Sequence, residues 1–256
     1  MTIHFDKQPI GSIDDAYAMY KASEFESPTR STIPLLSWLK HEQQSLVNLL
    51  DTLEVPNPRS IHLEYTVQCP QGNKPKSQTD FMVLANETAV AFESKWTEPI
   101  GNTVMTWLQS RNEQNAQQVL EGWVNCLQSI TTTRLQREWF YQSIYQMVHR
   151  TASACASGET PLVVYLLFHP SFDRQTASQK QVGDELEHLW RVLGRPPKLQ
   201  MWVAQINLSF TDKYRRIFGL PKESQQTAQA VRESLASTER LYYFDKPVVQ
   251  RIGVAT

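Results

Sequence analysis

Two runs of alternating side chains flank a short polar break: Phe81-Met82-Val83-Leu84-Ala85, then Asn86-Glu87, then Thr88-Ala89-Val90-Ala91-Phe92. β-Branched and aromatic residues on both sides of a two-residue break predict a hairpin. With Asn86-Glu87 as the turn, Ala85 faces Thr88, and Asp80 falls directly opposite Glu93. Lys95 follows two residues on, on the Glu93 face. That face carries Met82, Leu84, Ala89 and Ala91, and the other carries Phe81, Val83, Val90 and Phe92, so both sides are expected to be covered.

Elsewhere, leucines at 35, 39, 46, 49, 50 and 53 predict a helix over about 33–54, ended by Val55-Pro56-Asn57-Pro58. Ser60 to Val67 reads as a strand. A long Gln- and Asn-rich helix is expected at about 104–129 and a second at about 134–156. The continuous apolar run Pro161 to Phe168 predicts a fully buried strand. An amphipathic helix is expected at 175–193, a strand over Lys198 to Ile206 and a helix near 223–238. Residues 1–32 read as a mixed leading segment, and the C-terminal residues as a loose tail. This order predicts an α/β fold, a mixed β-sheet core flanked by helices. A single domain would span 1–256, with its core at about 33–206 and a helical insertion at about 104–134.

The hairpin carries the candidate chemistry. Two carboxylates directly opposite each other repel, so Asp80 and Glu93 would normally avoid this pairing. Buried at the end of an apolar row, they need a partner or an ion. A divalent cation turns the repulsion into a binding site, and Mg²⁺ typically takes one or two carboxylates and keeps several waters. A neighbouring lysine, Lys95, orients a bound water or stabilises charge developing on phosphorus. The spacing therefore points to metal-assisted phosphodiester hydrolysis, with Asp80 and Glu93 as metal ligands.

The element order and the Asp80…Glu93-Ser94-Lys95 motif together resemble the PD-(D/E)XK nuclease superfamily over about residues 33–168. Thr79 stands where the motif's proline would be; that proline is not a ligand. The resemblance implies a restriction-endonuclease-like core of helix, three antiparallel strands, helix and strand. It implies Mg²⁺, with Mn²⁺ as substitute, held by Asp80, Glu93 and the carbonyl of residue 94. It also implies in-line attack that leaves a 5′-phosphate, and DNA as the substrate, with restriction or defence as the closest role. Glu64 on the first strand matches an additional acid of some members. Gln142 and Gln146, on the expected helix before the buried strand, match a glutamine of some branches. Glu98 is expected to support the site without binding metal. The alternative is a catalytically inactive nuclease-fold protein that binds nucleic acid or a protein partner.

A net charge of −1 gives no overall field for nucleic acid, so phosphate binding must come from local groups. Candidates are Arg134, Arg137, His149 and Arg150, or Lys213, Arg215 and Arg216. Trp107, Trp123 and Trp139 recur at even spacing and suggest a shared apolar seam. Three well-separated cysteines argue for reduced thiols. No signal-peptide pattern opens the chain and no apolar run is long enough for a membrane span, so a cytoplasmic protein is expected. Phosphate-loop, dinucleotide-binding, serine-hydrolase and zinc-deaminase motifs are absent. Cutting both strands of a duplex with one site per chain is most easily done by a two-fold homodimer.

Overall fold

The computed structural model describes residues 1–27, 29–73, 75–170, 176–219 and 228–253. The predicted hairpin forms β4 (Lys76–Ala85) and β5 (Thr88–Lys95), with Ala85 paired to Thr88 and the ladder running back to Phe81–Phe92. Asn86 takes the left-handed backbone that the turn requires (φ 52°). Phe81 and Phe92 stack across the last rung, their ring centroids 4.1 Å apart, which fixes the register just short of the acids.

Around this hairpin, in chain order, lie β1 (Thr2–Phe5), β2 (Gln8–Ile10), α1 (Ile13–Ala16), α2 (Thr32–His41), α3 (Gln43–Thr52) and β3 (Ser60–Gln68). After it come α4 (Val104–Gln109), α5 (Glu113–Leu127), α6 (Tyr145–Ser157), β6 (Thr160–His169), α7 (Gln179–Val192) and β7 (Gln200–Phe210). The chain closes with α8 (Asp212–Phe218), α9 (Ala228–Ala236), β8 (Tyr242–Phe244) and β9 (Val248–Arg251). Among the described residues the strands make one nine-stranded mixed sheet, in the order β2-β1-β3-β4-β5-β6-β7-β8. β9 shares the outer edge of β7 with β8: Trp202–Gln205 pair with β9 and Leu208–Phe210 with β8. The central strand β6 runs parallel to both neighbours and is buried along nearly its whole length.

Helices cover both faces. Ile61, Phe81, Val83, Val90, Phe92, Val164 and Ile206 face α1, α2, α3, α8 and α9. Met82, Ala89, Ala91, Val163, Tyr165 and Val203 face α4, α5, α6 and α7. The alternation along each strand assigns one set of side chains to each layer. Small residues on α6 (Ala152, Ser153, Ala154) are fully buried and bring it close to the sheet. At its end, a Cβ on Gly158 would stand 2.6 Å from the carbonyl oxygen of Glu87, so the helix terminus abuts the hairpin turn.

Several expectations need correction. The leading segment is not an appendage: β1 pairs parallel with β3 and extends the sheet. The tail supplies β8 and β9, so the sheet reaches beyond residues 33–206 on both sides. The helix over 33–54 is two helices, broken at Glu42, whose φ and ψ are −122° and 40°. The helix over 104–129 is likewise α4 and α5, restarted by Asn112, whose side chain caps the amide of Asn115. The second long helix begins at Tyr145, eleven residues later than expected. Of the helix expected near 223–238, residues 228–236 form α9, and 223–227 lie outside the described residues. The tryptophan seam is not one surface: Trp123 is buried, Trp107 stacks on Tyr145 and Trp139 is 42 % exposed. No helix among the described residues is long and apolar enough to cross a membrane.

Candidate functional site

The functional groups gather where β4 parts from β5. The next pair after Phe81–Phe92 would be Asp80 with Glu93, but the β4–β5 ladder stops one rung short. Asp80 Oδ2 instead accepts the backbone amide of Ser94 at 2.6 Å and its hydroxyl at 2.5 Å, replacing the lost ladder bonds. On the other side of β4 the ladder with β3 is interrupted at the same level, between Leu63–Phe81 and Tyr65–Thr79. Glu64 occupies the gap with φ 52°, a left-handed backbone that a non-glycine residue adopts at a cost. Both strands turn over there. Ile61 and Leu63 face the first helical layer, whereas Tyr65 and Val67 face the second. Ser77 likewise reaches α6 from the second side.

Glu93, Lys95 and Arg150 form the buried heart of the site, at 3 %, 7 % and 7 % exposure. Lys95 Nζ donates to Glu93 Oε1 at 3.0 Å, and Gln146 Nε2 to the same oxygen at 2.6 Å. Arg150 Nε donates to Glu93 Oε2 at 2.5 Å, and its Nη1 to Ser77 Oγ at 2.9 Å. Burial alone would raise the Glu93 carboxyl; Arg150 and Lys95 outweigh it and hold the group below the usual carboxylate range. Burial and the neighbouring Arg150 cation push the His149 imidazole well below its ordinary value, so it is neutral beside Ser77 Oγ, 2.9 Å away.

Asp80 and Glu64 differ from Glu93. Burial, then the charge of Glu93, raises Asp80 to about 7. Burial, then the charge of Asp80, raises Glu64 to about 8. Glu64 Oε2 accepts from Gln78 Nε2 and no ion pair reaches it among the described residues. Asp80 Oδ1 and Glu64 Oε1 accept no hydrogen bond there either. The hairpin acids were expected to need a partner or an ion. For Glu93 two cations of the protein meet that need; Asp80 has the Ser94 amide and hydroxyl, and neither Asp80 nor Glu64 is ion-paired among the described residues.

Of the other sequence candidates, Glu98 is a brace. Its Oε1 accepts the amide and hydroxyl of Ser31, both at 2.8 Å, and its Oε2 the amides of Trp96 and Thr97. It thereby ties the start of α2 to the exit of β5. Gln142 is not on the helix: it lies exposed in the turn before α6, and Gln146 is the glutamine that reaches Glu93. Arg134 is exposed, and Arg137 pairs with Glu138, so neither joins Arg150 and His149. Lys213 caps carbonyls of Ser234 and Glu239, while Arg215 and Arg216 pair with Asp212 and Glu239. That cluster serves local structure. Ser77 and the hydroxyl of Ser94 were not legible in the sequence, because a serine side chain on a strand carries no motif.

Among the described residues, no three His, Cys, Asp or Glu side chains are grouped closely enough to hold a metal. A cation at this fork would rest on two carboxylates and water.

These features define an α/β protein with helices on both faces of a mixed sheet and a carboxylate–cation cluster at a strand fork. The chain belongs to the family described as domain of unknown function DUF6946, whose model matches residues 9–211 and so takes in every residue of the cluster. No curated protein and no solved structure matches it.

Proposed function

We propose that the protein is a metal-dependent nuclease of the PD-(D/E)XK type that hydrolyses phosphodiester bonds in DNA, with restriction or defence as its closest role. One observation carries this reading: Asp80, Glu93 and Lys95 converge where two paired strands part, with Lys95 on Glu93 at 3.0 Å. The order α3, β3, β4, β5, then α6 and β6 after the intervening α4 and α5, supports it, since helix, three antiparallel strands, helix and strand is the core that such nucleases use.

The donor set suits Mg²⁺, with Mn²⁺ as substitute: hard oxygens, with a spare one on Asp80 and another on Glu64. Asp80 and Glu64 would hold the ion, and Glu93, engaged by three donors, would share in it only through its remaining lone pairs. The ion would lower the pKa of a water and polarise the scissile phosphate. Lys95 positions the nucleophile and stabilises the charge that develops on the phosphate oxygens. Gln146 and Arg150 fix Glu93, and through it Lys95. A two-fold homodimer would bring one such site to each strand of a duplex.

A second reading is a catalytically inactive nuclease-fold protein that binds nucleic acid or a protein partner. It is favoured by Arg150, whose guanidinium stands at 2.5 Å from the carboxylate that an active enzyme would offer to a metal. Incubating wild type and Lys95→Ala with supercoiled and linear DNA, with Mg²⁺ or Mn²⁺, separates the two. Cutting by wild type alone is the expected outcome. Tight, metal-independent binding without cutting by either protein selects the second reading.

A further inference from the structure

Arg150 is the group the hairpin motif does not account for. It reaches Glu93 Oε2 from α6, whereas Lys95 reaches Oε1 from the strand that carries Glu93 itself. A guanidinium has five N–H donors in a rigid fork that matches the oxygens of a carboxylate or a phosphate. Here the fork is only half used. Nε meets Glu93, Nη1 meets Ser77 and lies 3.3 Å from His149 Nδ1, and Nη2 donates to no acceptor among the described residues. Because His149 is neutral and Ser77 uncharged, Glu93 is the one anion bonded to either Lys95 or Arg150 among the described residues. Both cations are bonded to one carboxylate, and the second carboxylate that acts on both of them, Asp80, is ion-paired to neither among the described residues. A neutral side chain could fill the same space without the desolvation penalty of a second cation. Beside the two cations stand Asp80 and Glu64, each with a carboxylate oxygen that accepts no hydrogen bond among the described residues. A guanidinium N–H without an acceptor next to two carboxylates with open oxygens is an arrangement that suits a metal-bridged anion.

We propose that Arg150 is a substrate-phosphate ligand of this site: Glu93 aligns it beside Lys95, and its unused Nη2 takes a nonbridging oxygen of the phosphodiester to be cut. The inference rests on the nuclease reading and turns Glu93 into a positioning residue as much as a metal ligand.

The test compares Glu93→Gln with the double variant Glu93→Gln, Arg150→Gln, so that the carboxylate is neutral in both. The readout is equilibrium binding of a fluorescent 20-base-pair duplex in Ca²⁺ across a salt series. The double variant is expected to bind roughly tenfold more weakly, with a log–log salt slope smaller by about one. Equal affinity and equal slope would reduce Arg150 to a counter-ion of Glu93 and overturn the proposal. Should either glutamine variant fail to fold, Arg150→Lys keeps the charge and loses the fork. Weaker duplex binding in Ca²⁺ is then expected, and an unchanged affinity overturns the proposal. The nuclease reading fails separately: wild type that never cuts, yet binds duplex with an Arg150-dependent slope, leaves the phosphate contact standing and removes the activity.

Discussion

Glu64 and Asp80 are carboxyls that the folded chain holds ready to take up a proton. Their ordinary values are 4.5 and 3.8; burial, then the charge of Asp80, raises Glu64 to about 8, and burial, then the charge of Glu93, raises Asp80 to about 7. Between about pH 4 and pH 8 the folded state therefore binds more protons than the unfolded chain, and the metal-free protein loses stability as pH rises through that window. Scanning calorimetry without divalent ions should show Tm falling from pH 5 to pH 8 more steeply in wild type than in Asp80→Asn. A wild-type slope no steeper than that of the variant would mean that Asp80 is ionised throughout. At this scale the sequence was informative where side chains on neighbouring strands set each other's positions. Period-two alternation and a two-residue turn sufficed to pair Ala85 with Thr88 and to bring Lys95 to Glu93. Alternation carries no record of a ladder that stops, so neither the parting of the strands at Asp80 nor the serine that replaces the rung was legible.

Helices were less legible, because their ends here are decided by distant partners. The stretch 134–156 has helical spacing throughout, yet the backbone before Tyr145 is claimed elsewhere. Val104 N donates to Ser143 O at 2.8 Å, Met105 N to Tyr141 O at 3.0 Å, and Tyr145 N to Asn102 O at 3.0 Å. Those contacts hold residues 141–144 out of the helix and leave Gln142 in solvent. Two elements also meet through single residues whose removal is measurable. Glu98 accepts four hydrogen bonds that join α2 to β5. Glu98→Ala should cost about 1–3 kcal/mol in urea denaturation, because it strands the amides of Ser31, Trp96 and Thr97. A loss within error would show that water replaces the carboxylate freely. Gly158→Ala puts a methyl into the Glu87 carbonyl and should cost about 1–3 kcal/mol in the same experiment. If that variant is as stable as wild type, the end of α6 can move away from the hairpin turn.

In the whole molecule, the central strands follow the predicted order, and the strands that complete the sheet come from the two ends of the chain. β1 and β9 were hidden for one reason: four-residue strands that bury few side chains leave no alternation to read. The overturn of β3 and β4 at Glu64 and Asp80 has a consequence for length changes in this family. Each strand changes parity once, and the two changes sit side by side, so the strands remain matched: Tyr65 still meets Thr79 and Val67 still meets Ser77. Losing one residue from either strand beyond the break would reverse the sides of that strand alone, sending Ser77 away from Arg150 or Tyr65 and Val67 away from their layer. Losing one from the loop at 69–75 leaves both parities alone. Relatives of this protein should therefore vary in length at that loop and keep the count constant from Leu63 to Gln68 and from Lys76 to Phe81, with the break itself behaving as an inherited half-turn.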